Sequence, residues 1–156
     1  MADLSEPRVI AVGGPTASGK TALSVALAKT FDGEIINADS MQLYKGLDIG
    51  TAKPSPEEQQ GIPHHLLDFL PPETAYSVAD FTAAADPLIR EISGRGRLPF
   101  VVGGTGLYIT SLLNGMSFAP KKTDPAIRAR LQAQADAGDG AALYARLQQI
   151  DPDYAA

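Results

Sequence analysis

The sequence predicts an α/β fold in which helices flank a parallel sheet. Short apolar runs with β-branched residues occur at 8–12, 34–39 and 98–102, which is typical of buried parallel strands. Apolar residues at helical spacing occupy the stretches between them. Glycine-rich turns follow the first and the last of these runs. Because ligands bind at the carboxyl ends of parallel strands, we expect the binding edge at these turns.

Each element has a local signal. Leu23, Leu27 and Phe31 recur at helical spacing, and Gly33 is a plausible stop for that helix. The predicted order is strand 8–12, helix Thr21 to about Phe31, strand 34–39, loop 53–56, short strand 63–69, a helix after Ser77, turn 94–97 and strand 98–102.

The helix after Ser77 and the tail of the chain are predicted in the same way. Ser77 is the candidate N-cap, and Pro87 is expected to kink or shorten the helix. The face expected to be buried consists of Phe81, Ala84, Leu88 and Ile92. From about Ala126 the composition changes to Ala, Gln, Arg and Leu, which predicts two helices and no strand, at about 125–137 and 141–150.

Bulk properties exclude several classes of protein. The chain has 156 residues, a net charge of −5 and no cysteine, so disulfides and thiolate metal sites are excluded. No apolar run approaches the roughly 20 residues of a membrane span, and the start of the chain does not have the pattern of a signal peptide. A soluble, cytoplasmic protein with no membrane partner is expected. Contact with nucleic acid would require a local basic patch.

One motif is suited to binding phosphates. Residues 14–21, GPTASGKT, match G-x-x-x-x-G-K-[ST] between a predicted strand and a predicted helix. Glycines let the backbone N–H groups and the helix N-terminus face an anion. Lys20 adds a positive charge, and the hydroxyl of Thr21 is placed to bind Mg²⁺. The context predicts a P-loop NTPase-like sheet rather than a coincidental glycine-rich turn.

A carboxylate follows the second predicted strand. Asp39 lies at a carboxyl end near the phosphate loop, where it can act as a base or hold magnesium through water. An ordinary turn or helix cap explains it equally well. In P-loop hydrolases a later strand commonly ends in Asp, but here residues 103–106 read GGTG. This weakens the interpretation as a standard ATPase.

Four motifs together indicate a family. GPTASGKT at 14–21, DSMQLYKGLDIGTAKP at 39–54, PHHLLD at 63–68 and VGGTGLY at 102–108 occur in this order. The combination resembles the tRNA dimethylallyltransferase family, also called tRNA isopentenyltransferases, over almost all of residues 8–130. The resemblance implies transfer of a dimethylallyl group from dimethylallyl diphosphate to N6 of an adenosine beside the tRNA anticodon, with Mg²⁺ as cofactor and diphosphate released.

The resemblance also implies roles for single residues. The loop would hold the diphosphate through Gly14, Pro15, Thr16, Ala17, Ser18, Gly19, Lys20 and Thr21. Lys20 would neutralise the growing charge, Thr21 would bind magnesium, and Asp39 would be the general base. Ser40, Met41 and Gln42 would hold the flipped-out adenosine together with Asp39, and Thr105 would lie near the RNA.

Basic residues and histidines are less specific. Arg128 and Arg130, with Lys121 and Lys122, form a basic stretch that suits tRNA, although a solvated helix face explains it equally well. Lys53 and the turn at 94–97 are further basic candidates, with a surface loop favoured for the turn. Because adjacent strand residues face opposite sides, His64 and His65 are expected to be structural. Core or rim packing is favoured for Tyr44 and Tyr108.

The resemblance covers only part of the family pattern. Members are roughly twice as long, so residues 1–119 would be an incomplete catalytic core and 120–156 the beginning of a helical tRNA-binding insertion. The intact parent is expected to be the enzyme, and this piece alone is expected to be weak or inactive. The alternatives are a small-molecule kinase with ATP in the loop, an adenylate isopentenyltransferase and a non-catalytic nucleotide-binding fragment.

Overall fold

The computed structural model describes residues 7–116 and 124–155. The chain divides into two compact units, Met1–Ser117 and Phe118–Ala156. Lys121 and Lys122 lie outside the described residues. The proposed role of the second unit in tRNA binding remains a prediction.

The first unit contains a four-stranded parallel sheet. Its strands are β1 (Ile10–Gly13), β2 (Gly33–Asn37), β3 (His64–His65) and β4 (Leu98–Gly103). Their order across the sheet is β1-β4-β2-β3. Strand β4 therefore lies between β1, which precedes the phosphate loop, and β2, which precedes Asp39. This confirms the predicted α/β fold. The third strand is much shorter than the predicted 63–69.

Four helices belong to this unit, α1 (Lys20–Thr30), α2 (Pro56–Gln59), α3 (Val78–Gly94) and α4 (Gly106–Leu113). The sequence analysis did not predict α2 or α4. The short α2 starts inside the expected loop 53–56, where Ser55 and Glu58 form a capping box. In α4, β-branched residues weaken the local helix signal, but Tyr108 is buried and its ring stacks on Phe81 at 4.4 Å. Tertiary packing therefore stabilises this helix.

Two expectations for α3 need correction. The helix runs unbroken over 17 residues through Pro87, so the expected shortening is wrong. Ser77 caps it as predicted, and its side chain accepts a hydrogen bond from the N–H of Asp80. The most buried residues are Phe81, Ala85, Ile89 and Ile92. Ala84 and Leu88 are instead half-buried at the flank of this stripe.

The core has one layer on each face of the sheet. Ile36 and Val101 pack with α3 and α4 in one cluster. Ile35, Phe100 and Val102 pack with Val25 of α1 in the other. Successive residues of a strand point to opposite faces, so the continuous apolar runs of β2 and β4 supply both layers. The two glycine-rich turns then emerge at the same edge of the sheet.

A buried carboxylate pairs with the turn at 94–97. Glu34 of β2 is 3% exposed, and its carboxylate accepts hydrogen bonds from Arg95 at 2.8 Å and Arg97 at 3.0 Å. His65 Nε2 lies 2.6 Å from the same carboxylate. Both arginines of this surface turn are therefore paired with the sheet.

The second unit is helical where the structure describes it, with α5 (Pro125–Asp136), α6 (Gly140–Ile150) and α7 (Pro152–Ala155). The first two match the predicted helices within one residue at each end. The Asp124 side chain caps α5 by accepting a hydrogen bond from the N–H of Ala126 at 2.9 Å. In residues 7–116 and 124–155, no helix combines the length and apolar character needed to cross a membrane.

Candidate functional site

The phosphate-loop motif links the end of β1 to the start of α1. Gly19 has a φ of +83°, a conformation that side chains disfavour, and it precedes the first turn of α1. No side chain caps this helix, so its first N–H groups remain available to an anion. Lys20 Nζ donates a hydrogen bond to the Pro15 carbonyl at 2.5 Å, which folds its side chain back across the loop. The geometry is that of an anion cradle.

Asp39 follows β2 at the same edge of the sheet. Its Oδ1 accepts a hydrogen bond from the N–H of Met41 at 3.0 Å, which orients the carboxylate. A Cβ built on Gly104 would lie 3.5 Å from Asp39 Oδ2 and 3.6 Å from the Gly14 carbonyl oxygen. The loops after β1, β2 and β4 therefore converge around this carboxylate.

Backbone contact holds the loops after β2 and β4 together. Ala38 donates to Val102 at 2.7 Å, and Thr105 donates back to Ala38 at 3.2 Å. A Cβ on Gly103 would come within 2.2 Å of the Ala38 carbonyl oxygen. Only glycine permits this approach. The GGTG turn thus places Thr105 against the loop that carries Asp39.

Two cavities open at this edge. The first, of about 420 Å³, contains the phosphate loop, and the second is about 600 Å³. Besides Thr16–Thr21, the first is lined by residues that include Asn37, Asp39, Gln42, Thr51, Gln60 and His64. The second is lined by Thr16, Asp39, Met41 and the segment 46–51. Thr16, Asp39 and Thr51 line both cavities, so the carboxylate lies where they meet.

The predicted adenosine-binding residues have different surroundings. Met41 lines the second cavity and is half exposed. Gln42 lines the first, and its Nε2 donates to the carbonyls of Thr51 at 2.9 Å and Ala52 at 3.2 Å. Both amide hydrogens are then used, so Gln42 can offer a ligand only its acceptor Oε1. Ser40 lines neither cavity and contacts Thr105 instead.

Sequence reasoning missed one residue of the first cavity. His64 was expected to be structural, but it lines the phosphate-loop cavity while His65 faces Glu34 on the other side of the sheet. His64 Nδ1 donates to the Ile62 carbonyl at 2.8 Å, which leaves Nε2 as an acceptor. Burial lowers the pKa of His64, so its ring is neutral at pH 7. The sequence feature that could have indicated a site role for His64 is the PHHLLD motif, in which it lies.

The basic candidates divide into two groups. Arg128 and Arg130 are exposed on α5, and in the described part of the chain neither guanidinium has a hydrogen-bond or ion-pair partner. The side chain of Lys53 is only 6% exposed and contacts two carboxylates. It is therefore unavailable for an RNA backbone, and that expectation is wrong.

The residues of the first cavity fit a magnesium ion. Thr21 is half-buried there, and its hydroxyl provides a hard oxygen donor. Mg²⁺ commonly takes one or two protein ligands and completes its shell with water and substrate phosphates. Within the described ranges no group of three or more His, Cys, Asp or Glu residues could hold a metal ion. With so few protein ligands, a magnesium ion here would take most of its ligands from water and substrate phosphates.

Comparison with protein families and curated relatives gives consistent matches. The family described as IPP transferase matches residues 42–156. The tRNA dimethylallyltransferase of Anaeromyxobacter dehalogenans (strain 2CP-C) is 54% identical over 149 residues, 96% of this chain and 50% of that protein. That of Roseiflexus sp. (strain RS-1) is 52% identical, over 95% of this chain and 48% of that protein. The chain spans about half the length of the curated relatives it matches.

Solved structures agree with these matches. The full-length tRNA isopentenylpyrophosphate transferase of Bacillus halodurans has 48% sequence identity and a TM-score of 0.72, over 96% of this chain and 50% of that one. A eukaryotic dimethylallyltransferase acting on tRNA has 33% identity and a TM-score of 0.74, over 96% of this chain and 37% of that one.

Proposed function

Because this chain belongs to the IPP transferase family, we propose that the protein containing it transfers a dimethylallyl group from dimethylallyl diphosphate to N6 of a tRNA adenosine. The acceptor is an adenosine beside the anticodon, and diphosphate is the second product. The observation that carries this proposal is that Asp39 lines both the phosphate-loop cavity and the second cavity. A donor bound in one and an acceptor bound in the other would meet at this carboxylate.

The diphosphate end of the donor is assigned to residues 14–21. Backbone N–H groups of the loop and of the start of α1 bind the diphosphate oxygens, and Lys20 leaves the Pro15 carbonyl to pair with them. Thr21 would hold Mg²⁺, which when bound supplies positive charge next to the leaving group. Such preorganised charge favours departure of diphosphate from the allylic carbon.

The acceptor base is assigned to the second cavity. An adenosine must leave the RNA stack before its amino group can react, and Met41 offers an apolar surface for the extruded base. The N6 nitrogen forms the new bond to the allylic carbon while the bond from that carbon to diphosphate oxygen breaks. Asp39 accepts the proton that N6 loses. Gln42 lines the first cavity, and its Oε1 is the acceptor left free by its backbone contacts, so it could receive a hydrogen bond only from the amino group of the base.

We further propose that Arg128 and Arg130 contact the tRNA backbone, because both guanidinium groups are exposed on α5. A cytoplasmic location is proposed with the tRNA substrate, and the absence of cysteine suits a reducing compartment. ATP remains an alternative ligand of the phosphate loop, through a small-molecule kinase. An adenylate isopentenyltransferase would use the same donor with a free nucleotide as acceptor.

A label-transfer experiment separates these functions. Full-length protein with Mg²⁺ is incubated with prenyl-labelled dimethylallyl diphosphate or γ-phosphate-labelled ATP, and with tRNA, AMP or small-molecule acceptors. Prenyl label in tRNA is the expected result. Prenyl label in AMP alone would identify the adenylate enzyme, and phosphoryl transfer to a small molecule would overturn the prenyltransferase assignment.

A further inference from the structure

Lys53 has an unusual environment for a lysine near a binding site. Its side chain is 6% exposed, and Nζ donates to the Tyr44 carbonyl at 2.7 Å, Asp48 Oδ1 at 2.7 Å and Asp68 Oδ1 at 2.5 Å. An ammonium group has three hydrogens, so all of them are used. A buried lysine is rare unless it is paired in this way.

These contacts close one segment of the chain onto itself. Tyr44 begins the segment 44–53, Asp48 lies in its middle, and Lys53 ends it. Asp68, beyond β3, ties the segment to the sheet. The second cavity has most of its wall, residues 46–51, inside this closed segment.

The ion pairs keep Lys53 charged. Burial alone would lower its pKa, but the hydrogen bonds to Asp48 and Asp68 outweigh burial and raise the pKa above its usual range. The hydrogen bond from Lys53 likewise lowers the pKa of Asp68. Both carboxylates are largely exposed, 65% for Asp48 and 52% for Asp68, so either can return to water if the lysine is removed. The wall of the cavity therefore depends on the cation.

We propose that Lys53 is a positioning residue, whose ammonium group closes the segment 44–53 and so shapes the second cavity for the acceptor base. The identity of that ligand rests on the proposed function, whereas closure of the segment does not. Lys53 acts through the segment and touches no reacting atom. It is distinct from the basic residues assigned to the RNA backbone.

The first measurement needs no substrate. In full-length protein, Lys53→Met keeps an aliphatic side chain of similar length and removes all three donors. Amide hydrogen exchange is expected to accelerate at residues 45–53, whose N–H groups include those of Lys45, Ala52 and Lys53 bonded to backbone carbonyls. The matched control is Lys45→Met, since Lys45 is an exposed lysine of the same segment. Unchanged exchange at 45–53 in Lys53→Met overturns the proposal.

The second measurement tests which substrate the second cavity binds. In prenyl transfer, KM for tRNA is expected to rise about 10- to 100-fold in Lys53→Met, the size of effect that a misplaced binding wall can have, while KM for dimethylallyl diphosphate stays within about twofold. If KM rises only for dimethylallyl diphosphate, the proposal that the segment 44–53 shapes the site of the acceptor base is overturned. If the wild-type protein transfers no prenyl label, the proposed function fails, and hydrogen exchange still decides the positioning role.

A milder variant covers the case in which Lys53→Met does not fold. Asp68→Asn removes the charge of one of the two carboxylates that pair with Lys53, and the native circular dichroism spectrum is expected to remain. The same acceleration at 45–53, smaller in size, is expected, together with a smaller rise in KM for tRNA. Exchange and KM identical to wild type would overturn the proposal.

Discussion

The Thr105 side chain holds Ser40 in place across 65 residues of sequence, since its Oγ1 accepts the Ser40 N–H at 2.9 Å and donates to Ser40 Oγ at 3.2 Å. Ser40 follows Asp39, the proposed base, directly in the chain. Thr105, which follows β4, therefore holds the loop that carries Asp39 after the neighbouring strand β2.

Thr105→Val tests this contact. Valine has the same shape but no hydroxyl, so the Ser40 N–H loses its acceptor, and the free energy of unfolding is expected to fall by about 0.5–1.5 kcal/mol. Activity with tRNA is expected to fall as well, because the loop that carries Asp39 loosens. Thr105→Ser keeps the hydroxyl and should restore both. Equal behaviour of the two variants in denaturant titration and prenyl transfer would rule out the contact as the cause.

Asp39→Asn tests the general base. Asparagine retains an oxygen for the Met41 N–H, so the loop should keep its shape while proton acceptance is lost. We expect kcat for prenyl transfer to fall about 10²- to 10⁴-fold with little change in diphosphate affinity. Single-turnover kinetics and diphosphate titration measure the two quantities separately.

Thr21→Val is the contrasting variant for the same experiment. It removes the hydroxyl proposed to bind magnesium, so the affinity for diphosphate with Mg²⁺ is expected to fall. Thr30→Val, at the exposed far end of α1, is its matched control and should bind as wild type does. If Asp39→Asn loses diphosphate affinity instead of kcat, Asp39 belongs to the metal site.

Gly103→Ala and Gly104→Ala should differ although they are neighbours. A methyl group at Gly103 would lie 2.2 Å from the Ala38 carbonyl oxygen, whereas one at Gly104 has its nearest neighbour at 3.5 Å. The first substitution forces apart the loops after β2 and β4, at a cost of about 1–3 kcal/mol or more. Thermal unfolding should therefore show a lower Tm for Gly103→Ala only. A similar Tm for both variants would contradict the close packing of these loops.

Arg128→Ala combined with Arg130→Ala tests the RNA contact. If each arginine neutralises one phosphate, the slope of log K against log salt for tRNA binding should decrease in magnitude by about one for each arginine removed. Gln132→Ala with Gln134→Ala changes the same helix without changing its charge and should leave the slope unaltered. A slope unchanged in the arginine variant would mean that these residues form a solvated helix face.

Glu34→Gln tests the buried carboxylate of β2, which pairs with His65, Arg95 and Arg97. Burial by itself raises the pKa of Glu34, but hydrogen bonds from His65 and the arginines of the 94–97 turn outweigh burial and lower it. A depressed pKa stabilises the fold above the unfolded value, near 4.5, and this stability is lost as the pH falls through the folded pKa.

The measurement is the free energy of unfolding of wild type and Glu34→Gln at pH 7 and at decreasing pH. Wild type should be more stable at pH 7, and the difference should shrink below pH 4.5. Glu91→Gln, which removes an exposed carboxylate paired with Arg95, should change stability by no more than about 1 kcal/mol. A difference that is independent of pH would contradict the ionised state of Glu34.

Local patterns predicted most of the fold. The apolar runs that became β2 and β4, the capping serine of α3 and the two helices of the tail all depend on residues near one another in sequence. The helix α4 escaped prediction because Tyr108 packs on Phe81, 27 residues earlier, rather than following a local signal. Pro87 was misjudged because the buried stripe of α3 packs on the sheet and outweighs the backbone hydrogen bond that proline removes.

The sequence by itself determined the phosphate loop and the carboxylate after the second strand, because each is a short contiguous motif, and it determined the family resemblance through the order of four such motifs. The tertiary structure decided what those residues can do. It showed Asp39 between two cavities, the amide hydrogens of Gln42 committed to backbone carbonyls, and His64 in the phosphate-loop cavity. It also showed that Lys53, a candidate for binding RNA, is buried and paired with Asp48 and Asp68. Such assignments depend on contacts between segments that only the folded sheet brings together.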